Sequence, residues 1–183
     1  MLIEPILNDR TQPLVTVLIY NYNYGKYLTE CFESILNQTE PDLEFIIIDD
    51  CSSDQSLEII KTYQAKDPRI KIIHNTQNLG LTKSLILGIN QANAAHIARQ
   101  DSDDKSHPER LKKQLEFFKK NADHVLVGSQ ARTIDAQSNA LGENHMPIHD
   151  ATIRAQLKIS NAFCHGAVMF SKQAYYSVGQ YNE

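Results

Sequence analysis

The chain has 183 residues, of which 42% are hydrophobic and 22% are charged, as in one globular domain with its own core. A formal net charge of −4 gives no basic surface for nucleic acid. Apolar runs such as residues 15–20 are too short to span a membrane, and the N-terminus lacks the basic region of a signal peptide. Three widely spaced cysteines without a CxxC pair predict free thiols in the cytoplasm: Cys31, Cys51 and Cys164.

Short apolar segments alternate with helical segments along the chain. After a lead-in at residues 1–12, buried strands are predicted at 14–20, 43–48, 70–73, 97–98, 124–128 and 167–170. Apolar residues at helical spacing predict helices at 27–36, 57–63, 81–92, 108–120 and 150–159, with strand, turn and loop at 131–147. This alternation is typical of βαβ units and predicts an α/β fold with a mostly parallel sheet flanked by helices.

Polar residues follow three of the predicted strands. They lie at 20–23, at 49–50 and at 101–104. Ligands of such sheets bind beyond the carboxyl ends of the strands, so we expect these three groups to face one crevice.

The last of these groups carries three carboxylates within four residues: Asp101, Asp103 and Asp104. Two carboxylates ~4 Å apart repel by about 4 kcal/mol at an effective dielectric constant of about 20. Mg²⁺ or Mn²⁺ would neutralise them, because such ions bind through one or two carboxylates and complete their shell with water and phosphate. Capping of the next helix is the structural alternative. However, residues 106–109 (Ser-His-Pro-Glu) fit a capping box of their own, which favours a metal site.

In combination, six segments resemble the family 2 inverting glycosyltransferases of GT-A fold, which use nucleotide-diphosphate sugars. The match runs from about residue 13 to the last residue. The segments that carry it are VLIYNYN at 17–23, IDDCSSD at 48–54, NLGLTKSL at 78–85, IARQDSDD at 97–104, HGAVMF at 165–170 and VGQYNE at 178–183.

The resemblance implies a GT-A-like, Rossmann-like nucleotide-sugar-binding domain at residues 13–183. It implies transfer of a sugar from a nucleotide-diphosphate donor, a UDP-sugar, to a hydroxyl of a glycan or lipid-linked glycan with inversion, in polysaccharide or cell-surface glycan synthesis. Mn²⁺ or Mg²⁺ is the implied cofactor. The resemblance is compatible with peripheral contact with a membrane, and it implies no nucleic-acid partner.

The resemblance also implies roles for single residues. Asp101 and Asp103 match the family's DxD motif, with Asp103 expected on the metal and Asp101 close to the metal, ribose or sugar. Asp104 is expected to orient the sugar or support the metal ligands, and it is the one candidate catalytic residue. Asp50 is expected to accept a hydrogen bond from the base, with Asp49 beside it structural. Further donor-binding residues are expected at Tyr20, Tyr22, Asn23, Asn78 and Lys83.

One family feature has no match in this sequence. The catalytic base of the family lies in an Asp- or Glu-containing motif shortly after the segment matched by residues 181–183. We therefore expect a chain truncated before that motif, which binds donor and metal but transfers sugar poorly. A catalytically silent nucleotide-sugar-binding or regulatory module is the alternative. A nicotinamide-dependent oxidoreductase is disfavoured because the loop after the first strand offers only Gly25 instead of GxGxxG. A sugar-nucleotidyltransferase would need a glycine-rich, basic loop there.

Overall fold

The computed structural model describes residues 12–182, so nearly all of the predicted lead-in lies outside the described residues. The strands are β1 (Val15–Asn21), β2 (Leu43–Asp49), β3 (Ile70–His74), β4 (His96–Asp101), β5 (Leu126–Val127), β6 (Ala131–Ile134), β7 (Ala140–Asn144) and β8 (Met169–Ser171). The helices are α1 (Gly25–Leu36), α2 (Ser56–Gln64), α3 (Leu81–Gln91), α4 (Arg110–Lys120), α5 (Asp150–Gln156) and α6 (Lys172–Ser177), with a 3₁₀ helix at His165–Ala167.

A six-stranded sheet forms the centre of the fold, in the order β3-β2-β1-β4-β8-β5. Strands β1 to β4 are parallel, and β8 runs antiparallel to both of its neighbours. The register places Tyr20 between Ile48 and Asp101, and Asn21 beside Asp49. The carboxyl ends of β1, β2 and β4 therefore meet at one edge. The predicted α/β fold with a mostly parallel sheet is confirmed, and β6 and β7 form a separate hairpin.

Helices cover both faces of the sheet. Helices α1, α2 and α4 pack on one face through apolar residues that include Phe32, Ile60 and Leu115. Helices α3 and α6 pack on the other face, through residues that include Leu85 and Tyr175. Strand β2 is buried along its whole length, and its centre, Phe45 to Ile48, is apolar as expected for a strand that is covered on both faces.

A buried carboxylate ties the strands together at the opposite edge of the sheet. Glu44 accepts hydrogen bonds from Thr16 Oγ1 at 2.5 Å and from Lys71 Nζ at 2.9 Å. It also accepts from the backbone and side-chain amides of Asn93, at 2.6 and 2.9 Å. Burial raises the pKa of Glu44, but these hydrogen bonds outweigh it, so the pKa lies below its ordinary value.

Some local predictions were wrong. The expected capping box does not form: α4 begins at Arg110 without a side-chain cap, because Ser106 Oγ donates to Gln100 Oε1 instead. Strand β5 has only two residues, and α5 ends at Gln156. The last predicted strand is antiparallel and begins later, since residues 165–167 form the 3₁₀ helix. Between residues 12 and 182, no helix has the length and hydrophobicity to cross a bilayer.

Candidate active site

Asp50 organises the loop that follows β3. Its carboxyl group is fully buried, and Oδ1 accepts hydrogen bonds from Asn75 Nδ2 at 2.7 Å and from the amide of Leu79 at 2.8 Å. Oδ2 accepts from the amide of Gly80 at 2.8 Å and from the Tyr20 hydroxyl at 3.1 Å. Burial raises the pKa of Asp50, but the four hydrogen bonds together outweigh it and hold the pKa below its usual value. Asp50 is therefore ionised at neutral pH and holds the loop against β1.

Asp49 has the structural environment that the sequence analysis expected. It is fully buried, and its carboxylate contacts Asn21 Nδ2 and His74 Nδ1, each at 3.0 Å. Its other bond comes from the amide of Ser52 at 3.3 Å. Asn23, with a positive φ of 58°, accepts a hydrogen bond from the Ser53 amide at 2.8 Å. The loop after β1 is thus fastened to the turn after β2.

The other predicted donor-binding residues lie at the same edge of the sheet, in the segments that follow β1 and β3. Tyr22 is exposed, and Lys83 is exposed on the first turn of α3. Asn78 Oδ1 accepts a hydrogen bond from the amide of Gly80 at 3.0 Å. Burial and the hydrogen bond to Asp50 raise the pKa of Tyr20, so its hydroxyl stays a donor. This edge of the sheet therefore combines the exposed side chains of Tyr22, Asn78 and Lys83 with the buried carboxylate of Asp50.

The acidic cluster forms a tight turn at the end of β4. The amide of Asp104 donates to the carbonyl of Asp101 at 3.1 Å. Asp101 Oδ1 accepts a hydrogen bond from Arg99 Nη2 at 2.6 Å, and the Arg99 side chain is fully buried. Arg99 also donates to the carbonyl of Leu18 at 2.9 Å. The buried Arg99 guanidinium thus fixes the Asp101 carboxylate of the turn.

The turn brings two of the three carboxylates together. A Cβ atom built on Gly166 would lie 2.5 Å from Asp101 Oδ2 and 2.7 Å from Asp104 Oδ2, so both oxygens point at the same backbone position. Burial of the carboxyl group, with the negative charges of Asp101 and Asp103, raises the pKa of Asp104 to about 6. Asp103 itself is exposed at the rim of the site.

These carboxylates fit a hard divalent cation. Their oxygens converge on the space above Gly166, and their mutual repulsion is what a cation would relieve. Within residues 12–182 there is no cluster of three or more His, Cys, Asp or Glu side chains arranged around a metal position. Two carboxylates suffice for Mg²⁺ or Mn²⁺ when phosphate and water supply the remaining ligands.

A cleft of about 780 Å³ opens on the other side of the acidic turn. It begins at Asp103 and Asp104 and runs between α4, the β6–β7 hairpin and the 3₁₀ helix. At the turn's inner side, His165 Nε2 lies 3.1 Å from the Tyr181 hydroxyl. Burial and the Arg99 charge lower the pKa of His165. The acidic turn therefore forms one wall of this cleft.

Sequence reasoning missed three buried polar residues behind the turn: Arg99, Gln100 and Arg110, which are 0%, 1% and 8% exposed. A signal was present, because Arg99 and Gln100 directly follow the apolar pair Ile97 and Ala98 that predicts a buried strand. Charged side chains are almost never fully buried unless they are paired.

A model of the family described as "Glycosyl transferase family 2" matches residues 16–179 of the chain. The chain belongs to this family. EpsE of Bacillus subtilis (strain 168), whose name describes it as a glycosyltransferase, is 37% identical over 92% of this chain and 60% of its own length. Chondroitin synthase of Escherichia coli is 32% identical over 93% of this chain and 24% of its own length. This family 2 chain thus spans less than two thirds of either relative.

Solved structures agree with the fold of this family 2 chain. TarS 1-349 of S. aureus in complex with UDP-GlcNAc matches with a TM-score of 0.73 and 21% identity, over 90% of this chain and 47% of TarS. A mannosyltransferase, PcManGT from Pyrobaculum calidifontis, in complex with GDP-Man and Mn²⁺, matches with a TM-score of 0.70 and 16% identity, over 94% and 48%. Both structures are glycosyltransferases of the GT-A type, and the predicted fold class is confirmed.

Proposed function

We propose that this chain binds a nucleotide-diphosphate sugar together with a divalent cation, as the donor-binding part of an inverting glycosyltransferase. One observation carries the proposal: Asp101 and Asp104 point their carboxylates at one position, at the sheet edge that also holds Tyr20 and Asp50. A diphosphate between the two groups would meet the cation at one end and the base pocket at the other.

In this proposal Asp101 and Asp104 hold Mn²⁺ or Mg²⁺. When bound, the cation acts as a Lewis acid that stabilises the negative charge on the departing nucleoside diphosphate. Arg99 fixes Asp101 in place through its 2.6 Å charge-assisted hydrogen bond. Asp103 was the expected metal ligand, but the three atoms nearest the position beside Gly166 belong to Asp101 and Asp104, and both Asp103 and Asp104 are exposed residues. We therefore assign Asp103 to the mouth of the site, where it can contact the ribose, the sugar or a cation-bound water.

The base and ribose occupy the crevice around Asp50 in our proposal. Tyr22 stacks on the base, while Asn23 and Asn78 offer amide groups to the ribose and Lys83 offers its ammonium group to a phosphate. A base N–H replaces the Tyr20 hydroxyl on Asp50, because that 3.1 Å contact is the longest of the four. A carboxylate that only accepts hydrogen bonds matches N3–H of uracil, which supports a UDP-sugar as the donor.

The acceptor is a hydroxyl of a glycan or lipid-linked glycan in this proposal. Its support comes from the relatives, which include a chondroitin synthase and an O-antigen biosynthesis glycosyltransferase of Escherichia coli. Since Asp104 is assigned to the cation, we assign no catalytic base within residues 12–182, and we expect weak transfer by this chain alone. The free cysteines support a reducing, cytoplasmic setting.

Calorimetry with UDP tests the proposal. We expect Mn²⁺ to strengthen UDP binding by about tenfold or more, and the variant Asp104→Asn to lose that gain, because one carboxylate ligand is gone. Asp42→Asn is the matched control, since Asp42 is exposed and outside the site. UDP binding that is the same with Mn²⁺ and with EDTA would contradict the proposal.

A further inference from the structure

We propose that Gln100 is a positioning residue that fixes the spacing of the Asp101 and Asp104 carboxylates, and thereby sets the affinity and size preference of the cation site. The inference rests on the proposed function. Gln100 is 1% exposed, and its Nε2 donates to both ends of the acidic turn. The two bonds run to the carbonyl of Asp101 at 3.2 Å and to the carbonyl of Asp104 at 2.8 Å. One carboxamide therefore ties together the residues whose side chains converge.

The side chain of Gln100 is itself fixed by hydrogen bonds from other side chains. Its Oε1 accepts hydrogen bonds from Ser106 Oγ at 2.7 Å and from Arg110 Nη2 at 3.2 Å. Arg110 Nη1 donates to the carbonyl of Arg99 at 2.9 Å and to the carbonyl of Gly166 at 3.3 Å. Gly166 is the position at which both carboxylates point. A continuous buried network thus links the end of β4, the acidic turn and the 3₁₀ helix.

This network opposes the repulsion between the carboxylates. Without the two bonds from Gln100, the turn bond from the Asp104 amide to the Asp101 carbonyl and the Arg99–Asp101 ion pair would remain to hold the turn against that repulsion. Mg²⁺-like ions demand near-ideal octahedral geometry, whereas Ca²⁺ accepts longer and more variable ligand distances. Loosening the turn should therefore weaken Mn²⁺ binding more than Ca²⁺ binding. Loss of such outer partners lowers metal affinity by about tenfold to a hundredfold.

Two substitutions separate the bonds. Gln100→Glu keeps the oxygen that accepts from Ser106 and Arg110, but it places a carboxylate oxygen against the two carbonyls. Gln100→Met is uncharged and removes all four bonds. Gln38 provides the matched control: it is 9% exposed, and its Nε2 donates to the carbonyls of Ser34 and His107. Its bonds do not reach the acidic turn, so Gln38→Glu and Gln38→Met disturb a similar buried amide elsewhere.

The experiment titrates Mn²⁺ and Ca²⁺ calorimetrically into wild type and the four variants, each with saturating UDP, and records melting temperatures. We expect both Gln100 variants to weaken Mn²⁺ by about tenfold or more and Ca²⁺ by less, while the Gln38 variants keep the wild-type Mn²⁺/Ca²⁺ ratio at a similar loss of melting temperature. If Gln100→Glu does not fold, the comparison of Gln100→Met with Gln38→Met decides. An unchanged Mn²⁺/Ca²⁺ ratio in folded Gln100 variants would overturn the positioning role. Wild type that binds UDP without any effect of Mn²⁺ would instead overturn the proposed function.

Discussion

Replacing Asp50 by asparagine should destabilise the fold and release the loop after β3. In wild type, each carboxylate oxygen faces two donors, among them the amides of Leu79 and Gly80. An asparagine keeps one oxygen and turns an NH₂ group towards the other two donors, in either orientation. Hydrogen bonds to charged groups are worth about 1.5–3 kcal/mol each, so the loss of two predicts at least about 3 kcal/mol.

Urea denaturation followed by circular dichroism measures this loss, with exposed Asp42→Asn as the control. For a chain of this size, about 3 kcal/mol corresponds to a fall in melting temperature of about 6–12 °C. Because the pKa of Asp50 is depressed, its stabilisation is present above the unfolded value of about 3.9 and is lost as pH falls through the lower folded value. Asp50→Asn with the same urea midpoint as wild type at pH 7, or a difference that does not shrink as pH falls below the unfolded value, would refute the reasoning.

Three further predictions, the first with a control substitution, test separate parts of the structure. Asp101→Ala should lower the free energy of unfolding by about 3 kcal/mol, because it leaves the buried Arg99 charge unpaired. The control Asp103→Ala, at an exposed residue, should change it by less than about 0.5 kcal/mol. Equal effects of the two substitutions in guanidinium denaturation would contradict the pairing of Arg99 with Asp101. Glu44→Gln should destabilise the fold at pH 7 but not below the depressed pKa of Glu44. The urea midpoints of wild type and Glu44→Gln should therefore differ at pH 7 and converge at acid pH. Gly88→Ala should destabilise by about 1–3 kcal/mol, because a Cβ there overlaps the core between α3 and the sheet; a raised melting temperature in calorimetric scans would show that the core yields.

The fold could be predicted from the sequence because its signals are local and redundant. The strand β2 contains the apolar run Phe45 to Ile48, and α1 repeats apolar residues at helical spacing. The boundaries were less predictable, since they depend on tertiary contacts. Ser106 illustrates this: its hydroxyl could cap α4, but it donates to Gln100 instead.

The candidate site could be located from the sequence but not resolved in detail. Parallel strands bring their carboxyl ends to one edge, so the meeting of Tyr20 and Asp50 followed from the topology. Which carboxylates converge depends on the turn, whose backbone bond joins Asp104 to Asp101. Spacing alone does not reveal the turn conformation. The buried network behind the turn is equally a product of packing, although the position of Arg99 directly after the apolar pair Ile97 and Ala98 indicated a buried charge.

The most direct test of the central claim is the position of the cation in a crystal of this chain grown with UDP and Mn²⁺, located by anomalous scattering of manganese. The account predicts one anomalous peak bonded to carboxylate oxygens of both Asp101 and Asp104, next to the diphosphate. A peak bonded to Asp103 without Asp104, or bound UDP with no manganese at the acidic turn, would contradict it.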